Sequence, residues 1–385
     1  MHLGRLVDGA PEIVRVLADR VEISSYYTVF TVVAFVLGAA IGSFLNVGIY
    51  RLPRDLSVNR PRRSFCPTCK SPIPWHQNIP LVSWLFLRGR CAKCGARIAF
   101  RYFGVELLTA LLFLAVWESF PWKIAVAYWV FVSILLIATF VDLEHFIIPD
   151  QITIGGTIAG IAASFIVPEL MNTDSRLAAL VRAALAAALG YVILWIVLEG
   201  GKIAFGRKRV KLDGPTPFTW TRHGDDAEFV VGEERSLWSD YFAREKDRLL
   251  LHCDEATIDH RVFGNEVLEF HYNRVRVGAG EFVLDTVDRI SGIAHELEIP
   301  REAMGRGDLK FLAAIGAFLG WRGVLFSIFA GSVAGSIVGL ATLLIGKRVW
   351  SAKLPFGPYL AFGALTWMFF GEKFVQWYLQ LVNPS

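Results

Sequence analysis

The sequence predicts an all-α polytopic membrane protein of about eight transmembrane helices, with a cysteine-bearing loop domain and a soluble α+β insert. Of its 385 residues, 54% are hydrophobic and only 19% are charged. Together with a mean hydropathy of +0.46, this composition excludes an ordinary soluble domain. The charges are also concentrated, since residues 201–300 hold 14 Lys/Arg and 19 Asp/Glu. The net charge of +4 averages over unequal segments and indicates no nucleic-acid partner.

Seven stretches are long and apolar enough to cross a bilayer, since a helical span needs about 20 such residues. They are 27–50, 102–120, 123–141, 152–168, 179–199, 323–345 and 358–381. The shorter stretch 309–321 lies just before the sixth of these and makes an eighth span plausible. The first apolar run is too long for a cleaved signal peptide, so we expect it to remain as a membrane anchor.

The loop after the first span sets the orientation. Residues 51–101 carry eleven Lys/Arg and a single acid, Asp55, and such loops stay on the cytoplasmic side. Alternation of the spans then places residues 201–300 on the same side. In that insert, residues 266–277 alternate like strands and residues 282–297 are compatible with a helix, which predicts a small α+β module.

The predicted domains follow from these boundaries. They are an N-terminal tail (1–26), the first transmembrane helix (27–50), a cytoplasmic loop domain (51–101), helices 2–5 (102–200), the soluble insert (201–300) and helices 6–8 (301–385).

Four of the five cysteines form two CxxC pairs with 21 residues between the pairs. The pairs are Cys66 with Cys69 and Cys91 with Cys94. Paired turns of this kind suit one tetrahedral zinc ion with four thiolate ligands, and four protein ligands leave no open position, so the zinc would be structural. Two disulfides or two redox-active pairs are the alternatives, and a cytosolic loop disfavours them. Cys253 belongs to neither CxxC pair, so we expect it to be an ordinary buried or surface thiol.

Two acidic groups lie at predicted cytoplasmic ends of apolar helices. Asp142 ends the third span and Asp308 opens the sixth. Carboxylates in such positions cost a few kcal/mol unless they are paired or solvated, so they are functional candidates. Two facing carboxylates can share a proton, one activating a water that attacks a peptide carbonyl while the other protonates the carbonyl oxygen. This chemistry is that of an aspartyl protease.

The residues around the two acids indicate a catalytic role less strongly than the acids themselves. Gly305 and Gly307 flank Asp308 and let the backbone bend where a substrate or helix comes close. Asp150 and Glu144 are also explained as solvated helix ends, and His145 as an interfacial histidine.

The ordered set of motifs resembles the prepilin peptidases, which are bifunctional type IV leader peptidases and N-methyltransferases of the GxGD class of membrane aspartyl proteases. By this resemblance Asp142 and Asp308 are the catalytic pair, and Asp150, Lys310, Gly305 and Gly307 support the site. The resembling segments cover most of the chain outside the insert, namely 42–53, 66–69, 75–84, 87–94, 101–102, 105–106, 142–150, 305–310 and 354–360.

The resemblance implies a substrate and a second reaction. Type IV prepilins or pseudopilins, as used in type IV pili and type II secretion, would be cut on the cytoplasmic side of the bacterial inner membrane, after a short basic leader that ends in glycine. N-methylation of the new N-terminus, with S-adenosylmethionine as donor, is implied by the resemblance alone, because the sequence has no glycine-rich Rossmann fingerprint. Membrane lipids are the other expected contacts; the sequence predicts neither the oligomeric state nor the donor site.

The insert departs from the family's compact arrangement, because it separates the two acids by 166 positions. A folded module between helices is tolerable thermodynamically, and its role is not predicted.

Two other classes of membrane protein are alternatives to a prepilin peptidase. An intramembrane protease of the presenilin kind also uses a GxGD acid, but the cysteine loop and the segment 42–46 argue against it. A non-enzymatic scaffold or transporter would use the acids to bind protons or cations and the zinc loop to bind partners.

Overall fold

The structure is a computed structural model that describes residues 12–382 except 55, 62–63, 206, 224–225, 242–247, 279, 301–304 and 345–354. It contains two compact units. One combines Met1–Leu194 with Gly305–Ser385, and the other is Trp195–Met304.

Eight α-helices lie in the described part of the chain. They are α1 (Glu12–Arg51), α2 (Val82–Phe86), α3 (Phe100–Ser119), α4 (Trp122–His145), α5 (Asp150–Ile166), α6 (Arg176–Phe205), α7 (Arg306–Leu344) and α8 (Gly357–Val382). Five segments are long and apolar enough to cross a membrane: Thr28–Arg54, Phe100–Ser119, Trp122–His145, Arg176–Gly201 and Arg306–Thr342. Helices of this kind fit a membrane protein, while the count of eight spans stays a prediction.

Helix α7 contains both predicted stretches 309–321 and 323–345 in one kinked element of 39 residues. Gly320 has non-helical dihedral angles inside it, with φ 69° and ψ −178°. Only glycine adopts this conformation readily, so the kink lies where the sequence permits it. The kink divides α7 into two helical parts, 306–319 and 321–344. At about 1.5 Å per residue the second part alone is long enough to cross the hydrocarbon core of a bilayer.

Glycines bring α1 and α3 into close contact. An ideal Cβ on Gly38 would lie 2.7 Å from the Cα of Ala110, and one on Gly42 would lie 2.7 Å from the Cα of Glu106. Small residues spaced by four allow two backbones to approach in this way. The cytoplasm-facing ends predicted for α1 and α3 are therefore held side by side.

The second unit holds one antiparallel sheet of eight strands in the order β3-β2-β1-β8-β4-β5-β6-β7. The strands are β1 (Arg207–His223), β2 (Asp226–Val231), β3 (Glu234–Leu237), β4 (Leu249–Ile258), β5 (Arg261–His271), β6 (Arg274–Val277), β7 (Gly280–Val283) and β8 (Arg289–Pro300). Buried and less buried side chains alternate along β4, as expected for a sheet with one face in a core.

The sheet curls around its own aromatic core. The ring centroid of Phe229 on β2 lies 6.2 Å from that of Phe270 on β5, although three strands lie between them in the sheet. The ring of Trp238 lies 5.2 Å from the same Phe270. Register shifts between Lys211 and Thr216, where β1 pairs with β8, bend the sheet at its centre.

This sheet corrects two expectations. The chain is not all-α, and the predicted helix over 282–297 is wrong, because these residues form the end of β7, a 3-10 turn and most of β8. The register shifts displace the alternation in β8, so that Ile290, Ala294 and Leu297 are the buried apolar side chains. Their spacing imitates the i, i+4, i+7 pattern of a helix. The strands predicted within 266–277 are confirmed as the hairpin of β5 and β6.

Candidate functional site

Asp142 lies in the last turn of α4, and its side chain is buried. Its Oδ2 accepts a hydrogen bond of 2.9 Å from the backbone N–H of Gly357, the first residue of α8. The free N–H groups at a helix N-terminus favour a negative charge. The start of α8 therefore holds and orients this carboxylate.

Asp308 lies in the first turn of α7 and is also buried. Its backbone N–H donates to the carbonyl of Gly305, with a distance of 3.3 Å. The carboxylates of Asp142 and Asp308 are close enough to interact electrostatically. The fold thus brings together two acids that are 166 positions apart in the sequence.

Ile148, in the connection between α4 and α5, is the point on which both helix starts converge. An ideal Cβ on Gly307 would lie 3.1 Å from the Cβ of Ile148, and one on Gly357 would lie 3.1 Å from its Cδ1. Any side chain at these glycines would push α7 or α8 away from Ile148 and from the acids. Gly307 therefore acts through close approach of the backbone.

Asp150 and Lys310 form an ion pair beside this site. The Nζ of Lys310 lies 2.6 Å from Oδ1 of Asp150, which joins the first turn of α5 to the second turn of α7. The Asp150 side chain is 58% exposed, so the pair is worth at most about 1 kcal/mol. Glu144 instead pairs with Arg101 of α3 at 2.8 Å, away from the buried acids.

The four paired cysteines form one cluster. Their Sγ atoms lie within 4.8 Å of one another, Cys66 and Cys94 are 3.9 Å apart, and all four thiols are free. With Zn–S bonds of about 2.3 Å, the sulfurs of a tetrahedral site are about 3.8 Å apart. The cluster fits a tetrahedral zinc site, and at this separation Cys66 and Cys94 are not bonded as a disulfide.

Both CxxC turns have the same local geometry. The backbone N–H of Lys70 donates to the carbonyl of Cys66, and that of Gly95 donates to the carbonyl of Cys91, each at 2.9 Å. Lys70 and Gly95 both have positive φ, at 56° and 69°. The hydroxyl of Ser71 lies 2.9 Å from the Sγ of Cys69 and lowers the pKa of that thiol to about 6. The thiolate form of Cys69 is therefore favoured near neutral pH, whereas burial and the neighbouring cysteines raise the pKa of Cys94 to about 11.

Sequence reasoning missed two residues that shape the site. Gly357 lies in the segment 354–360 that carried part of the resemblance, but nothing in that segment indicated a contact with Asp142. Arg51 is buried at the end of α1, and its Nη1 donates to the carbonyls of Ser57, Val58 and Pro61 at 3.1, 2.8 and 3.0 Å. It fixes the chain where α1 leads into the cysteine loop.

Comparison with known proteins places these elements in two matched regions. The Bacterial Peptidase A24 N-terminal domain matches residues 36–120, which include all four paired cysteines. The Type IV leader peptidase family matches residues 129–211 and 282–340, which include both buried acids. The gap between 211 and 282 corresponds to most of the sheet.

Several similar curated proteins carry the name Prepilin leader peptidase/N-methyltransferase. The protein from Aeromonas hydrophila is 28% identical over 369 residues, which cover 90% of this chain and 92% of that protein. The one from Myxococcus xanthus is 51% identical over 137 residues, but the match spans only 35% of this chain and 41% of that protein. The one from Neisseria gonorrhoeae is 34% identical over 199 residues, with 45% and 66% covered. No solved structure matches this chain.

Proposed function

Because this chain belongs to the type IV leader peptidase family, we propose that it is a membrane endopeptidase that removes leader peptides from type IV prepilins or pseudopilins and then methylates the new N-terminus. The observation that carries the peptidase assignment is the pair of buried carboxylates, Asp142 and Asp308, held next to each other by three helix ends. A non-enzymatic scaffold or transporter is not favoured, since the relatives that match most of this chain are named as enzymes.

In the proposed cleavage, Asp142 and Asp308 share one proton and act on one water. Backbone hydrogen bonds stabilise the charged forms of both carboxylates, from Gly357 to Asp142 and from Gly305 to Asp308. In this proposal Asp142 is the base. It accepts a proton from the water as the water oxygen attacks the scissile carbonyl carbon. Asp308 donates its proton to the carbonyl oxygen, which gives a tetrahedral gem-diol. As this species collapses, Asp308 takes a proton back from one hydroxyl, Asp142 gives the proton taken from water to the leaving amine nitrogen, and the C–N bond breaks.

The supporting residues have positional roles in this proposal. Gly307 and Gly357 let α7 and α8 approach Ile148, which fixes the separation of the two acids. The ion pair of Asp150 with Lys310 ties α5 to α7 at the side of the site. Neither of these two charged residues takes part in proton transfer.

The site is proposed to face the cytoplasm of a bacterial cell, with the enzyme in the inner membrane. Support comes from the eleven Lys/Arg of residues 51–101, since positive charges on a short loop stay inside. A pilin leader of the family's kind, short and basic, would meet the enzyme on that side. The insert would then be cytoplasmic as well.

Methylation is the second proposed activity, and it needs a structural zinc and a methyl donor. Cys66, Cys69, Cys91 and Cys94 would hold the zinc, which would order the loop without activating water because all four positions are filled by protein. S-adenosylmethionine would supply the methyl group.

Co-expression with a prepilin tests both activities in one measurement. The pilin is purified and the mass of its N-terminal peptide is determined, with cells lacking the enzyme as the control. We expect a peptide that has lost the leader and gained one methyl group. A pilin that keeps its leader, in cells whose membranes contain the full-length zinc-loaded protein, would contradict the proposal.

A further inference from the structure

A cavity of about 320 Å³ lies between the ends of α1 and α3 and the cysteine loop. Its volume is in the range of sites for small organic ligands. Neither Asp142 nor Asp308 is among the residues that line it, so the proposed cleavage leaves it unused. Five aromatic side chains form much of its wall: Tyr50, Phe65, Trp84, Tyr102 and Phe103.

A fixed carboxylate lies in the wall of this cavity. Oε2 of Glu106, in the second turn of α3, accepts the backbone N–H of Leu81 at 2.7 Å, and the carboxylate is also hydrogen-bonded to Ser43. Leu81 has φ 64° and ψ −51° and is the centre of a γ-turn, in which Val82 N–H donates to Pro80 O at 2.7 Å. A γ-turn of this hand is rare and strained for a side chain larger than glycine. This unusual turn therefore directs the backbone N–H of Leu81 toward the carboxylate of Glu106.

Two buried polar atoms beside the cavity have no hydrogen-bond partner among the described residues. They are Oδ1 of Asn46 and Nε1 of Trp84. Asn46 is 3% exposed, and its Nδ2 is already used by the carbonyl of Tyr102 at 2.9 Å. A buried acceptor or donor without a partner destabilises the folded protein. A ligand that offers both a donor and an acceptor would satisfy the pair.

These groups define the chemistry of the ligand. The charged residues of the lining are one acid, Glu106, and two bases, Arg51 and Arg97. The acid and the aromatic faces favour a cationic group, and a guanidinium favours a carboxylate on the same ligand. The aromatic walls also suit a flat heterocycle with polar edges. S-adenosylmethionine has all of these parts, since it carries a sulfonium, an ammonium group, a carboxylate and an adenine ring.

We propose that this cavity binds S-adenosylmethionine, with Glu106 facing the positive charge of the donor and Asn46 and Trp84 hydrogen-bonded to its polar groups. The proposal rests on the proposed methyltransferase function. In the transfer, the amine nitrogen of the cleaved pilin uses its lone pair to form the new N–C bond. The S–C bond of the donor breaks with its electron pair left on sulfur, which yields S-adenosylhomocysteine, and the amine proton passes to water.

The same cavity explains why a four-cysteine site belongs in this enzyme. Cys66 and Cys91 are among its lining residues, so the metal-binding turns form part of the wall. Bound at the four cysteines, zinc would order that wall. Removal of zinc should therefore weaken donor binding while the acids, on other helices, remain in place.

Binding of S-adenosylmethionine to the full-length zinc-loaded protein, measured by calorimetry, tests the site. Glu106→Gln keeps an oxygen that can accept the N–H of Leu81 but removes the charge. Glu118→Gln is the matched control, since Glu118 is exposed and lies 12 residues further along α3, about 18 Å away. We expect the Kd to rise by about tenfold or more in Glu106→Gln and to stay unchanged in Glu118→Gln. Zinc content and thermal stability show that both variants are folded, and Glu118→Gln should cleave prepilin at the wild-type rate.

Trp84→Phe provides a second variant that breaks no protein hydrogen bond, because Nε1 has no partner in the described chain. It should also weaken donor binding. Unchanged donor affinity in both Glu106→Gln and Trp84→Phe would overturn the site while leaving the enzyme a methyltransferase. Unchanged donor affinity with a raised KM for the pilin would assign the cavity to the acceptor amine and would also overturn it. A wild-type protein that neither binds the donor nor methylates pilin would refute the methyltransferase function itself.

Discussion

Replacing Gly357 by alanine places one methyl group directly against the carboxylate of Asp142. An ideal Cβ at this position lies 2.7 Å from Oδ2 of Asp142 and 3.1 Å from Cδ1 of Ile148, whereas ordinary contact begins at 3.4 Å. The carboxylate or the start of α8 must therefore move by about 0.7 Å. The hydrogen bond from Gly357 N–H, now 2.9 Å long, would be lengthened or bent.

The expected effect on cleavage follows from these distances. A misplacement approaching 1 Å at a catalytic group lowers the rate by about 10²-fold. A hydrogen bond to a charged group is worth about 1.5–3 kcal/mol, which corresponds to about 10- to 150-fold. Both estimates concern the same contact, so we expect kcat to fall by about 10²-fold while KM for the prepilin changes little.

The assay is the initial rate of leader removal by purified enzyme, followed by mass spectrometry. Gly155→Ala on α5 is the matched control, since an ideal Cβ there meets nothing within 4 Å and alanine favours a helix. Zinc content and thermal stability show that both variants are folded. Wild-type kcat in Gly357→Ala would refute the role of α8 in holding Asp142.

Four further outcomes are expected. Cys66→Ser should lower zinc content and destabilise the loop, whereas Cys253→Ala should retain full zinc, because Cys253 is buried in the sheet. Acidification should release zinc, because protons compete with the metal for the four thiolates; zinc content that does not fall with pH would contradict a thiolate site. Asp150→Asn should reduce cleavage only severalfold, because an exposed ion pair contributes little. A cysteine placed at the exposed Val262 should react with an impermeant thiol reagent only after cells are permeabilised; labelling of intact cells would contradict the cytoplasmic insert.

The cysteine cluster shows what spacing alone can predict. Two CxxC turns need only short-range backbone geometry to present their sulfurs, so the sequence was sufficient to expect one site, and the structure brings all four Sγ atoms within 4.8 Å. The acids are a different case. Their residue types and positions at helix ends indicated function, but the contacts that align them come from Ile148 and Gly357, which are apolar or featureless in the sequence.

The insert shows where pattern reading fails. Alternation revealed β5 and β6, which pair without register shifts. In β8 the shifts displace the buried positions, and a strand at the centre of the sheet then imitates the spacing of a helix. Glu106 was likewise overlooked as a site residue, since its partner Leu81 is placed by an unusual turn that no residue pattern announces.

The central claim is that Asp142 and Asp308 act together in leader cleavage and that neither of them takes part in methyl transfer. The most direct test measures two rates for Asp142→Asn, Asp308→Asn and the double variant: leader removal from a prepilin, and methylation of a pilin that already begins at its mature N-terminus. We predict that each single variant loses nearly all cleavage, that the double variant is little worse because the acids are not independent, and that methylation and zinc content persist in all three. Cleavage at the wild-type rate by Asp308→Asn, or by Asp142→Asn, would contradict the assignment.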